Sequence, residues 1–173
     1  MRAQNAASVG RRWFDDSGMS LMEVMIAVAI LGVGLLALSS AIPIAAYGIQ
    51  EGNQLSTATF LANQRMEQVR NATWQASPAT DKLGVSASAT AAPVGDGAAT
   101  TFPDESPLAA PYAGYSRTVR ITDCGIAPGC GGVVDAALRQ VTVTVSYQPM
   151  TGMGVSASGT TKSAIIAMYV SQR

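Results

Sequence analysis

A long uncharged apolar segment near the N-terminus limits what this chain can fold into more than any other feature. Between Val24 and Ile49 the sequence has no charged residue, and aliphatic side chains fill most positions. About 20 consecutive residues of this kind cross a bilayer as an α-helix. We therefore predict a single transmembrane helix over residues 19–46.

The residues that precede this segment indicate its orientation. Three arginines, Arg2, Arg11 and Arg12, stand there against two acids, Asp15 and Asp16. Arginines beside a membrane helix favour retention of their flank in the cytoplasm. The C-terminal part is then expected in the periplasm, on a protein that spans the inner membrane once.

A cleaved secretory signal is the alternative interpretation of this segment. Ser39, Ser40 and Ala41 are small residues that resemble a signal-peptidase site. The apolar region of such signals is only about 7 to 15 residues long, however, and the run before Ser39 is longer. We therefore favour a helix that is retained.

Glu23 is a carboxylate at the start of the apolar segment. A charge inside the hydrocarbon costs on the order of 2.5 to 3.5 kcal/mol on insertion scales, so such a group normally has a partner. One interpretation places Glu23 in the headgroup region, where the cost is small. The other is that the chain is cut after Gly18, and that the new α-amine of Met19 pairs with Glu23 of a neighbouring chain.

The residues from Gly18 to Ala27, GMSLMEVMIA, resemble the class III signal of type IV prepilins and type II secretion pseudopilins. The family pattern is a glycine, usually phenylalanine or methionine, serine or threonine, two apolar residues, glutamate and an apolar run, and every position matches. The resemblance implies that residues 1–18 are a leader, which a membrane prepilin peptidase cuts between Gly18 and Met19. It also implies N-methylation of Met19 and a role for Glu23 in setting the register of assembled helices.

The pattern becomes amphipathic over residues 47–74, where apolar residues recur at spacings of three or four, as in a helix with one buried face. These residues are Leu55, Ala58, Ala62, Met66 and Val69. A single helix over 19–74 would be roughly 80 Å long, more than a bilayer needs, so its second half is expected to enter a head domain. The segment Ala62 to Arg70, ANQRMEQVR, also resembles the corresponding part of PilV-type minor pilins and minor pseudopilins.

Residues 75–114 are rich in proline, alanine, serine and threonine. This composition is typical of loops and irregular excursions. We predict a connecting region with at most one short strand, near Leu83 to Ala89.

The last part of the chain, residues 115–173, carries strand patterns in which apolar and polar residues alternate or apolar residues run together. The predicted strands are Tyr115 to Ile121, Gln140 to Tyr147 and Ala164 to Val170, with a hairpin loop at Gly152 to Gly159. Together with the resemblance, this pattern implies an α+β fold of the pilin type, in which the second half of the long helix packs on a small antiparallel sheet.

Two cysteines, Cys124 and Cys130, lie between the first two predicted strands. A short turn-rich loop can bring two sulfurs together, and an extracytoplasmic compartment favours their oxidation. We predict a disulfide, with two reduced thiols as the alternative. Its position within the sheet differs from that in major pilins, whose disulfide lies near the C-terminus.

The composition argues against an enzyme and against a nucleic-acid-binding protein. The chain has no histidine, which excludes the usual Ser-His-Asp and Cys-His arrangements, and two cysteines are too few for a four-ligand zinc site. Its 11 basic and 11 acidic residues provide no basic field for nucleic acid. We predict no catalytic residue, no cofactor and no metal, and we expect the adjacent acids Asp104 and Glu105 to be solvated in a proline-rich loop.

These features together predict a minor pilin that is inserted in the inner membrane and then incorporated into, or primes, a type IV pilus at the cell surface. Its expected partners are other pilins or pseudopilins, through the N-terminal helix, and the prepilin peptidase. A minor pseudopilin of a type II secretion system is the near alternative. A signal-anchored extracytoplasmic binding module is an alternative of another class, in which Gly18 and Glu23 would be coincidental.

Overall fold

The computed structural model describes residues 18–149 and 160–172. It contains one long helix, α1 (Leu21–Arg70), followed by seven strands. The chain divides into two compact units, the first ending at Ile42 and the second beginning at Pro43. The strands are β1 (Trp74–Gln75), β2 (Thr80–Asp81), β3 (Val85–Ser86), β4 (Pro93–Val94), β5 (Tyr115–Asp123), β6 (Leu138–Tyr147) and β7 (Lys162–Ser171).

In the first unit, the described residues 18–42 are all exposed. Even the bulkiest apolar side chains have no covering neighbour, and Leu21 is 80% exposed. The few polar side chains bond within the helix, since the Ser39 hydroxyl donates to the Leu35 carbonyl at 2.9 Å and the Ser40 hydroxyl to the Ala37 carbonyl at 2.8 Å. Satisfied polar groups and an uncovered apolar surface suit a helix that lies in lipid.

In the second unit, α1 buries one face against the sheet. Its buried residues are Ala58, Leu61, Ala62, Met66 and Val69. The prediction that Leu55 belongs to this face is wrong, because Leu55 is 47% exposed. The packed part of the helix begins at Ala58, one turn later than the spacing indicated.

The helix ends at Arg70, earlier than the predicted Trp74. Two backbone bonds close its last turn, from the Asn71 N–H to the Glu67 carbonyl at 3.2 Å and from the Ala72 N–H to the Val69 carbonyl at 3.1 Å. Trp74 instead begins β1 and is buried in the core.

The connecting region is more regular than predicted. The sequence indicated at most one strand near Leu83 to Ala89, whereas the structure has two antiparallel pairs, β1 with β2 and β3 with β4, of which only β3 lies in that range. Each of these strands is two residues long. Strands this short have no periodicity from which they could be predicted.

The main sheet confirms the three predicted strands and their antiparallel pairing. Its order is β5-β6-β7, with Val119 opposite Val143 and Val143 opposite Ile166. Along β6 buried and half-buried residues alternate without interruption, so that Val141, Val143 and Val145 all face the core. The predicted hairpin loop at 152–159 lies outside the described residues.

A shared ion pair joins the helix, the connecting region and the sheet. Arg117 of β5, only 7% exposed, donates from Nε to Glu105 at 2.7 Å and from Nη1 to the Leu61 carbonyl of α1 at 3.1 Å. Arg65 of α1 lies 2.6 Å from the same Glu105 carboxylate. Burial tends to raise the pKa of Glu105, but the hydrogen bond from Arg117 and the charges of Arg65 and Arg117 outweigh it, so the pKa is lowered.

A second buried arginine holds the first small hairpin onto β6. Arg139 donates to the Asp81 carboxylate at 2.7 Å and to the Gly84 carbonyl at 3.3 Å, and its guanidinium lies 4.0 Å from the centre of the Trp74 ring. Burial again opposes ionisation of Asp81, but the hydrogen bond from Arg139, backbone N–H groups and the arginine charge lower its pKa overall. Desolvated arginines of this kind bind the irregular region to the sheet.

We predict that Glu105→Gln destabilises the folded full-length protein in detergent by about 2 kcal/mol. Removing one partner of a fully buried ion pair costs roughly 3 to 5 kcal/mol. The expected cost is smaller here because the Glu105 side chain is 34% exposed. Glu67→Gln is the matched control, since the Glu67–Arg70 pair is exposed on both sides. The prediction is wrong if the two variants unfold at the same urea concentration.

The lowered pKa of Glu105 also predicts the pH dependence of stability. The folded state binds fewer protons than the unfolded state, so this contribution is fully present above the ordinary value of 4.5 and is lost as the pH falls through the lower folded pKa. Unfolding followed from pH 7 down to pH 3 should therefore show a smaller loss of stability for Glu105→Gln than for the wild type.

Candidate functional site

The described residues before α1 are exposed to solvent. Gly18, Met19 and Ser20 lie outside the helix and are all exposed. A Cβ atom at Gly18 would meet no atom of the described chain within 4 Å. A requirement for glycine at this position would therefore come from an enzyme that binds the segment, since the fold itself leaves room for a larger side chain.

Ser20 fixes the start of the helix. The Glu23 N–H donates to the Ser20 hydroxyl at 3.2 Å, and the N–H groups of Glu23 and Val24 lie 3.0 and 3.2 Å from the Ser20 carbonyl. Ser20 is thus an N-cap, with Glu23 in the first helical turn, where the helix dipole favours a negative charge. The sequence analysis did not use this signal, although serine followed three residues later by glutamate is the pattern of a capping box.

Glu23 has no cationic side chain beside it in residues 18–149 and 160–172, since the ion pairs found there are formed by other acids. The sequence explains this, because no lysine or arginine lies between Arg12 and Arg65. Met19 lies just before the start of α1, and Glu23 lies in its first turn. A new amino terminus at Met19 would be the nearest cation to this carboxylate.

The helix that begins here is long and apolar enough to cross a membrane. Its first part exposes large apolar side chains on every side, from Leu21 to Ile44. An all-round apolar surface is typical of a helix within a membrane or between other helices. This surface indicates membrane anchoring.

The Cys-bracketed loop lies between β5 and β6. Cys124 and Cys130 are joined in a disulfide, with their Cα atoms 4.9 Å apart. Backbone bonds also hold the loop, from the Cys130 N–H to the Val133 carbonyl at 2.9 Å and from the Asp135 N–H to the Cys124 carbonyl at 3.0 Å. Gly129 has a φ of 75°, and a Cβ there would collide with the Val133 backbone, so this turn requires glycine.

The adjacent acids Asp104 and Glu105 keep contact with solvent, since Asp104 is exposed and Glu105 half-buried, but both also form ion pairs that the sequence analysis did not predict. Arg120 donates to the two Asp104 carboxylate oxygens at 2.6 and 2.8 Å, and Glu105 pairs with the buried Arg117 and the half-buried Arg65. Hydrogen bonds from Arg120 are the main reason why the pKa of Asp104 is lowered. The lowered pKa values favour the ionised form of both acids at neutral pH. Among the described residues no group of histidine, cysteine and acidic side chains could hold a metal.

One family model matches the chain. Residues 13–39 match the prokaryotic N-terminal methylation motif, a range that contains Gly18, Met19, Glu23 and much of the exposed apolar helix. The chain is therefore prepilin-like over this segment, and the motif belongs to structural subunits and not to enzymes. Comparisons with curated proteins and with solved structures found no match.

We predict that Cys124→Ser combined with Cys130→Ser lowers the melting temperature of the full-length protein by only roughly 5 to 10 °C. The disulfide closes a short loop, so it lowers the conformational entropy of the unfolded chain only slightly. The resulting stabilisation of the folded state is about 2 kcal/mol. Untreated native protein should show no thiol that reacts with a colorimetric reagent. Two reactive thiols in that sample would contradict the disulfide.

Proposed function

We propose that this chain is a minor pilin, a structural subunit that is cut between Gly18 and Met19, N-methylated at Met19, and incorporated into or primes a type IV pilus through its N-terminal helix. The proposal rests chiefly on the methylation motif at residues 13–39, which coincides with an exposed helix start. Processing would remove a cytoplasmic leader and leave Met19 just ahead of the N-cap Ser20. The chain from residue 47 onward would then lie in the periplasm and later in the filament.

The charges of the N-terminal half support an assembly role for Glu23. A carboxylate that enters the membrane without a partner is costly, and no basic side chain of the chain lies nearby in sequence. Cleavage after Gly18 would create the missing cation, the α-amine of Met19. Pairing of this amine with Glu23 of a neighbouring subunit would fix the stagger between the two helices.

A minor pseudopilin of a type II secretion system has the same leader, the same helix and the same motif. We prefer the pilus because the segment Ala62 to Arg70 and the apolar opening of the helix resemble PilV-type minor pilins more closely than minor pseudopilins. Three residues of this segment have structural roles, since Met66 and Val69 are buried and Arg65 pairs with Glu105. The genes adjacent to this one would distinguish the two systems directly.

A membrane-anchored binding module is the candidate of another class. It accounts for the apolar helix but assigns no role to Gly18 or Glu23. The mass of the mature N-terminal peptide separates the two classes, since only a prepilin would begin with a methylated Met19. An unprocessed N-terminus in a cell that contains the prepilin peptidase would favour the binding module.

We predict that Gly18→Val gives an uncut precursor, about 2 kDa heavier than the mature protein, that stays in the inner membrane. The structure leaves space for valine, so the effect would come from the peptidase alone. Gly32→Val is the matched control, because Gly32 also has no atom within 4 Å of its Cβ position and lies away from the cut. Normal processing of Gly18→Val on an immunoblot would contradict the prepilin assignment.

We predict that Glu23→Gln is still cut and membrane-inserted but is lost from sheared filaments. Removing one partner of a charge pair in a low-dielectric site costs about 3 to 5 kcal/mol, enough to prevent incorporation. Ser20→Ala is the control, because it removes the helix cap, worth about 1 kcal/mol, and keeps the carboxylate. Recovery of Glu23→Gln in filaments at the wild-type level would show that Glu23 does not set the register.

A further inference from the structure

One end of the head lies beside the part of α1 that follows the apolar segment. Lys162, the first residue of β7, pairs with Glu51 of α1. The hydroxyl of Tyr115, at the start of β5, donates to the Gln54 carbonyl of α1 at 3.4 Å. Because Tyr115 lies opposite Tyr147 in the sheet, β6 ends here as well. We call this surface, with the segment 111–114 that leads into β5, the anchor end, and we propose that it contacts the headgroup layer of a lipid membrane.

The length of the uncharged part of α1 determines how far the anchor end lies from the lipid. Residues 24–49 carry no charge and are about 39 Å long as a helix. A bilayer has a hydrocarbon core about 30 Å thick and is about 40 to 45 Å thick with its headgroups. A run of this length that begins at one edge of the hydrocarbon ends within the headgroup layer of the other side. Glu51 lies two residues farther on, about 3 Å along the helix axis.

The helix holds the anchor end at this short distance. From Pro43 to Arg70 the chain is helical and belongs to the same compact unit as the sheet. Ile49 is still 67% exposed, and the ion pair between Glu51 and Lys162 follows within one turn. A flexible linker would let the head move away from the lipid, whereas a helix keeps the separation fixed. This step rests on the membrane anchoring of α1, and it does not depend on processing or on pilus assembly.

Tyrosines give the anchor end the composition of a membrane interface. Tyrosine is enriched at the level of the headgroups, because its ring is apolar and its hydroxyl forms hydrogen bonds. Tyr112 and Tyr115 are half-buried, and their rings meet edge to face with their centres 6.4 Å apart. Four of the five tyrosines of the chain lie at the anchor end or in the helix just before it: Tyr47, Tyr112, Tyr115 and Tyr147.

The charges of the anchor end indicate which lipids it can contact. Among its described residues, the ionised side chains are Glu51 and Lys162, and they pair with each other. The neighbouring segments, residues 52–64 of α1 and 106–116 before and into β5, carry no charge. A surface without net charge is neither attracted to anionic lipid nor repelled by it. We therefore expect the contact to form with zwitterionic lipid and to need no anionic lipid.

This contact also determines which part of the head points away from the membrane. β5 begins at the anchor end with Tyr115 and ends at Asp123, roughly 30 Å away by the rise of an extended strand. The loop closed by the disulfide follows directly, and its Ile126 is 71% exposed. A head that is seated on lipid would present this loop to partners outside the membrane.

Photo-crosslinking of the full chain in lipid vesicles tests the proposal. A benzoylphenylalanine at Ala113, or at Gly114 as a second position, should form lipid adducts that mass spectrometry detects. Both positions are exposed, and a Cβ at Gly114 meets no atom within 4 Å. Ala127 is the matched control, because it is an exposed alanine in the loop at the other end of β5, and it should give about tenfold fewer lipid adducts. A probe at Leu31 reports insertion of the apolar helix.

Two vesicle compositions separate a neutral contact from binding to anionic lipid. The yield at Ala113 should differ by less than about twofold between phosphatidylcholine alone and an equal mixture with phosphatidylglycerol. The proposal is overturned if Ala113 and Gly114 give no lipid adduct while Leu31 does, if they crosslink only to a second copy, or if they react only in the anionic vesicles.

The proposed function is tested separately from this contact. No lipid adduct at any of the four positions would refute the membrane anchor and the proposal together. An uncut leader in native cells, with the Ala113 adduct retained in vesicles, would instead refute the proposed function and leave the lipid contact supported.

Discussion

The apolar surface of α1 has to be kept from water along its whole length, and the chain itself covers only part of it. From Ala58 to Val69 the sheet covers one face of the helix, with Val143 and its neighbours as the opposing surface. From Leu21 to Ile42 no residue of the described chain does so. That part of α1 is therefore stable only where lipid or other helices replace the missing neighbours, so membrane anchoring and the proposed assembly depend on the same exposed surface.

Buried arginines and apolar side chains together order the connecting region of the head. This region places Leu83, Phe102 and Leu108 in the core, but its own strands are only two residues long. Glu105 and Asp81 of this region are held by Arg117 and Arg139, which reach them from the sheet. Charge-assisted hydrogen bonds therefore order a segment whose composition alone would leave it irregular.

The sequence predicted the elements in which apolar residues recur with a regular period, and it missed the features that depend on single contacts between distant residues. Val141, Val143 and Val145 alternate with polar residues, and that period alone identified β6. Leu55 fits the same helical spacing as the buried residues of α1. It is exposed because it lies just before the part of the helix that packs on the head, and the spacing does not show where that part begins. Likewise, the partners of Asp104 and Glu105 are arginines distant in sequence, so no local pattern showed that these acids are structural.

Glu23 differs from the acids of the head in a way that links processing to assembly. Glu105 has Arg65 and Arg117 against its carboxylate, and its negative charge is compensated within the subunit. The chain provides no basic side chain between Arg12 and Arg65, and Glu23 is in none of the ion pairs of the described residues. In the proposed processing, cleavage supplies a cation and also removes the charged leader, so the carboxylate gains a partner at the step that makes the helix competent to pack. Under this proposal an uncut chain would retain both the leader and an uncompensated charge, and each would oppose its incorporation into a filament.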